Sequence, residues 1–184
     1  MYRRLRFFEE DIQKDKYRNV IKDLFRRTKE KYDEIVFFCI GTPKNIGDSF
    51  GPRLGTMLKE SGIENVYGTI DEPVIYTNFR DIIQDIENKY KNPLIISIDA
   101  MLVNSSESHN SFYFGTGGLI PGSGAHDDSY TRIGNMHLTY NIYIGENSNS
   151  IENINDSLNE LDLCVIFNKA YCIHNLIKEL IMVA

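Results

Sequence analysis

Apolar positions recur with two different periods along this chain, and each change of period marks an element. From Glu9 to Lys31, Ile12, Val20, Ile21, Leu24 and Phe25 return at helical spacing among charges, predicting an amphipathic helix over 9–31. Glu34 to Ile40 breaks that rhythm with uncharged β-branched and aromatic residues, the signature of a buried strand. After Gly51, Leu54, Met57 and Leu58 share one side of a short helix, with Pro52 in its first turn and Ser61-Gly62 as its stop. Val66 to Ile70 predicts a second strand closed by Asp71-Glu72-Pro73. Asn78 then caps a helix whose Phe79, Ile82, Ile83 and Ile86 lie on one face. Pro93 to Ile98 is continuously apolar and ends in Asp99-Ala100, as expected of a strand covered on both faces in a parallel sheet.

Beyond Met101 the pattern loosens. Asn104 to Asn110 is a polar loop, and Phe112 to Ile120, with Gly115, Gly117 and Gly118, predicts a short hairpin or extended ribbon. Ile133 to Ile144 alternates as a strand, and Glu146 to Asp156 is an Asn- and Ser-rich exposed connection. From Leu161 onward Leu163, Ile166, Phe167, Ala170, Ile173, Ile177, Leu180 and Ile181 predict a long helix on the sheet. Alternating strands and helices predict an α/β fold, a three-layer α/β/α sandwich with a mainly parallel central sheet. If the second strand lies on one side of the first and the third on the other, a crevice opens at their carboxyl ends. Asp48 and Asp99 then both reach it.

The 184 residues suit a single domain spanning 1–184, with the helix 9–31 packed on it. Twenty-six acidic side chains against 20 basic ones give a net charge of −6, which opposes association with nucleic acid or an anionic membrane. Neither partner is expected; proteins, peptides and small molecules remain. The charged opening lacks a signal-peptide core, and no apolar run is long enough to cross a bilayer, so the expected location is the cytoplasm. Cys39, Cys164 and Cys172 lack paired metal-ligand spacing and read as buried free thiols.

The segment CIGTPKNIGDSFGP, residues 39–52, carries the chemistry. Its loop leads Asp48 into a helix, and Asp99 ends a separate strand. Two carboxylates at one crevice either share a proton, the ionised one activating water, or ligate a divalent metal that acidifies bound water. Gly41 and Gly47 permit tight turning and close approach of a ligand, alongside Thr42 and Ser49, and the helix start directs amides at a developing oxyanion. The competing explanation is that Asp48 or Ser49 only caps the helix and Asp99 only anchors a loop. Glu72 flanks the crevice or serves its turn. Cys39 sits in an apolar strand, where thiols are inert. Gly115 to Gly124, GTGGLIPGSG, lacks a P-loop lysine and reads as a rim.

CIGTPKNIGDSFGP, VYGTIDEPV and IISIDA, with PGSG at 121–124, resemble the YyaC-type sporulation proteins of spore-forming bacteria, relatives of the germination protease and, more distantly, of the hydrogenase maturation endopeptidases. The likeness runs from about Ile35 to Ile144. It implies a maturation-endopeptidase-like fold and a peptidase active on a protein substrate, small spore proteins among the candidates, in the cytoplasm or forespore. By this resemblance Asp48 and Asp99 fall on catalytic acids or on metal ligands; the maturation enzymes' third ligand, a histidine, has no aligned counterpart, and His126, just after PGSG, is a candidate for it by position, set against the plainer reading of a solvated loop histidine. Gly47 replaces an acid and Thr42 an asparagine of the maturation enzymes. His109, His137 and His174 have weaker claims than His126. The rival reading is a non-catalytic peptide-binding or regulatory sporulation protein of the same fold.

Overall fold

The computed structural model describes residues 4–103, 105–121, 132–143 and 151–182. Strand β1 (Arg4–Phe7) precedes two helices, α1 (Glu9–Ile12) and α2 (Asp15–Lys29). Then come β2 (Glu34–Cys39), α3 (Phe50–Glu60), β3 (Val66–Tyr67), α4 (Phe79–Lys89) and β4 (Pro93–Val103). The chain continues through β5 (Phe112–Thr116), β6 (Met136–Tyr143), α5 (Ile151–Asn159) and α6 (Leu163–Met182).

Among the described residues six strands form one sheet in the order β1-β5-β6-β4-β2-β3. The strands β6, β4, β2 and β3 run parallel, whereas β5 is antiparallel to β6 and β1 antiparallel to β5. The sheet is therefore mixed, which corrects the expectation of a mainly parallel one. Only residues 104–111 separate β4 from β5, too short a link for the crossover that a parallel neighbour needs. The chain reverses instead, and β6 inserts between the two.

Side chains alternate across β2, so its residues enter two different cores. Phe37 and Cys39 join Phe25, Phe50, Leu54, Ile166 and Ile177 from α2, α3 and α6. Val36, Phe38 and Ile40 join Phe79 and Ile86 of α4, with Ile95, Leu119 and Ile133. Burial on both faces explains the unbroken apolar runs of β2 and β4.

Four local expectations change. The first helix breaks at Gln13-Lys14, because Asp11 accepts the Phe8 amide at 2.9 Å and the Lys14 ammonium at 2.7 Å, closing a short turn before α2 begins. Asn78 stands at the start of α4 without capping it; its side chain accepts from the Ile75 amide at 2.8 Å and donates to the Pro73 carbonyl at 3.0 Å, tying the preceding turn. The second strand shortens to Val66–Tyr67. Within the supposed exposed connection, residues from 151 onward form α5, whose Leu158 packs into the larger core.

Strand β4 also outruns its prediction. Its last partner on β2 is Cys39, opposite Ile98, while pairing with β6 continues through Val103. Asp99 thus emerges one residue past the end of β2, still held in register with Thr139.

Candidate functional site

The loop after β2 folds back on itself at Gly41, whose φ is +135°. A β-carbon there would stand 2.1 Å from the Asp48 carbonyl oxygen, so only glycine allows this approach. The fold-back lets the Thr42 amide donate to Oδ2 of Asp48 at 2.7 Å, and a single 3-10 turn, Gly47–Ser49, then leads into α3. Asp48 is fixed by its own loop. It does not cap α3, and Ser49 forms no side-chain cap either.

Asp99 reaches the same place from the sheet. Both carboxylates line a pocket of about 480 Å³, together with Leu119, Arg132, His137 and Thr139. Burial pushes the Asp48 carboxyl above the ordinary range, partly opposed by the Thr42 amide. Burial raises Asp99 further, the nearby Asp48 charge adds to it, and the Ala100 amide opposes both. Asp99 keeps some surface open to the pocket and is otherwise enclosed by protein. Two acids with no cationic partner on either carboxylate among the described ion pairs favour a state in which the pair retains a proton.

The other expected site residues part company. Thr42 contributes its backbone to Asp48, and its hydroxyl accepts the Lys44 amide at 3.3 Å. Ser49 is buried; its hydroxyl donates to the Ile46 carbonyl at 2.6 Å and accepts from Arg53 Nε at 2.9 Å. A β-carbon on Gly47 would meet Leu158 at 2.5 Å and Leu161 at 2.9 Å, so its smallness serves packing against α5 and the turn after it. Glu72 is exposed, lies 3.6 Å from the Lys59 ammonium, and is not among the pocket's lining residues.

Two amides leading into α3, where an oxyanion was expected to be held, are engaged. Asp48 donates to Asn45 Oδ1 in a long contact of 3.4 Å, and Ser49 donates to the Ile46 carbonyl at 3.2 Å. Cys39 is fully buried with its thiol acidity strongly suppressed, which suits core packing.

His126 lies outside the described residues, as does the PGSG segment beyond Pro121. No group of three His, Cys, Asp or Glu side chains able to hold a metal occurs among the described residues. Asp48 and Asp99 alone fall short of the three protein ligands usual at a catalytic zinc.

The pocket contains residues that local pattern did not single out. His137 projects from β6 opposite Ser97, and Thr139 opposite Asp99. Burial lowers the His137 pKa, its bond from Nδ1 to the Gly117 carbonyl at 2.8 Å opposes this, and the charges of Arg4 and Arg132 lower it again. Alternation in MHLTYNIY was the available signal, because it separates His137, Thr139 and Asn141 from the core-facing Leu138, Tyr140 and Ile142. Arg4 arrives from β1, a strand concealed within the charged opening.

Comparison with known proteins places the chain in a family. An uncharacterized protein, YyaC, of Bacillus subtilis (strain 168) is 42% identical over 106 residues, covering 56% of this chain and 51% of that protein. The match thus spans about half the length of the curated relative. The family described as "Protein of unknown function (DUF1256)" matches residues 9–176, from α1 into α6 and across both aspartates, and the chain belongs to that family.

Proposed function

We propose that the protein is a sporulation-associated peptidase that hydrolyses amide bonds of a protein substrate through Asp48 and Asp99. The observation that carries this reading is the convergence of the two carboxylates, from a loop and from an interior strand, in one pocket where both acidities are depressed. Asp48, the less perturbed, is ionised and accepts a proton from water as the water oxygen attacks the amide carbon. Asp99, protonated, donates to the carbonyl oxygen. As the tetrahedral adduct collapses and its C–N bond breaks, Asp48 delivers the proton it took from water to the departing nitrogen and Asp99 recovers one from an adduct hydroxyl, giving a carboxylic acid and an amine.

Covered cores on both sides of the sheet support a three-layer sandwich of the maturation-endopeptidase kind. The kinship with germination protease suggests small spore proteins as substrates, and a cytoplasmic or forespore setting follows from the same likeness. No described helix is long and apolar enough to cross a membrane. The acidic balance supports a protein or peptide partner rather than nucleic acid or a membrane surface.

The engaged amides around Asp48 favour a second reading, a non-catalytic peptide-binding or regulatory protein using the same pocket. Purified protein incubated with small spore proteins, beside Asp48→Asn and Asp99→Asn, separates the two. Cleavage by the parent and its loss in both folded variants supports the peptidase. Stoichiometric binding without cleavage supports the binder.

A further inference from the structure

The pocket is electrically lopsided. Its acids, Asp48 and Asp99, belong to the parallel part of the sheet, while Arg4 enters from the antiparallel margin. The Arg4 guanidinium lies 3.4 Å from the centroid of the Tyr113 ring, and its Nη2 donates to Met101 Sδ at 3.7 Å. Neither contact neutralises its charge, and among the described residues Arg4 forms no ion pair. Arg132, the other arginine of the pocket, donates to the Gly118 carbonyl at 3.0 Å. Burial and both arginines favour a neutral His137.

A guanidinium held over an aromatic face by its central carbon keeps its N–H donors pointing away from the ring, where a carboxylate can accept from them. Met101 follows Asp99 on β4 by two residues, so its contact with Arg4 draws the cation toward the strand that carries Asp99. An amide-containing ligand seated by the aspartates therefore meets a fixed positive group within the same enclosure.

We propose that Arg4 recognises a carboxylate of the peptide that occupies this pocket, either an acidic side chain or the chain-terminal carboxylate. This deepens the peptidase reading, since it takes a peptide as occupant, but it concerns binding and is tested without turnover. Four N-acetylated alanine-based peptides serve as probes. One pair differs in a free against an amidated C-terminus, and the other, amidated at the end, in an internal Glu against Gln. Each is titrated by calorimetry at low salt into the parent protein, Arg4→Gln and Arg4→Lys, with folding checked by circular dichroism. Arg4 is exposed on an edge strand, so folding should survive the change.

The expected result is that one acidic peptide binds the parent about tenfold or more tightly than its neutral match. That preference disappears in Arg4→Gln and survives in part in Arg4→Lys, which keeps the charge and loses the fork. The pair showing the difference identifies the source of the carboxylate. Equal binding within both pairs, no binding at all, or a preference that persists in Arg4→Gln overturns the assignment. Cleavage without carboxylate preference would leave the peptidase reading standing and remove this one; preference without cleavage would do the reverse.

Discussion

The amide of Thr42 donates a 2.7 Å hydrogen bond to Oδ2 of Asp48, six residues ahead of it, and so turns the loop between them into a closed clamp. Gly41 makes the clamp possible, because its φ of +135° brings a bare α-carbon against the Asp48 carbonyl. Replacing Gly41 by alanine is expected to destabilise the protein by on the order of 2 kcal/mol or more. A lower urea midpoint, with lost hydrogen-exchange protection at the Thr42 amide, is the signature. Unchanged stability would mean that the loop is not closed in this way.

Asp99 is predicted to cost stability at neutral pH. An acid whose pKa is raised on folding holds its proton more firmly in the native state, so stability falls as pH climbs from the ordinary aspartate value of 3.8 toward the raised folded one. Asp99→Asn should consequently unfold at a higher temperature than the parent near neutrality, by on the order of 1 kcal/mol or a few degrees. The advantage should shrink as pH falls toward the unfolded pKa. A gap that stays constant across that interval would argue against a buried, proton-retaining carboxyl.

Gly47 and Leu158 form a second testable pair. A methyl group at position 47 would meet Leu158 Cδ2 at 2.5 Å, so Gly47→Ala should cost about 1–3 kcal/mol through overpacking. Trimming Leu158 to alanine removes the nearer of the two obstructions and leaves Leu161 at 2.9 Å. The double variant should therefore be more stable than the sum of the single losses predicts, by at least about 0.5 kcal/mol. Strict additivity in denaturant titrations would show that α5 does not press on the turn carrying Asp48.

Thiol chemistry gives an independent check of the layers. Cys164 is exposed, Cys172 is half-buried with its pKa pushed up to about 11, and Cys39 is fully buried. A disulfide reagent should modify Cys164 first, Cys172 slowly, and Cys39 only on unfolding. Fast labelling of Cys39 in the native protein would contradict the packing of β2.

The parallel centre of the fold was legible because β2 and β4 are buried on both faces, and such strands announce themselves as uninterrupted apolar runs. The loop carrying Asp48 was legible through its glycines and its break from β2. Placement of the pocket's other wall depends on register between distant segments. His137 stands near Asp99 only because β6 pairs with β4, and Arg4 only because β1 pairs with β5. Nothing local to either residue encodes those pairings. Gly47 shows a different limit, since a glycine beside a candidate acid suggests access, while here it makes room for Leu158 and Leu161. Isolated thiols at Cys164 and Cys172 likewise read as buried because α6 carries apolar residues beyond its inner face, including the exposed Leu163 and Phe167.

Arg4 rides on a four-residue strand at the margin of the sheet, whereas Asp99 rests on an interior strand and Asp48 in the clamped loop that follows another. Marginal strands fray at lower free energy than central ones. The guanidinium can therefore be unseated while the acids keep their footing, so the ligand preference proposed for Arg4 can be altered without disturbing the carboxylate pair.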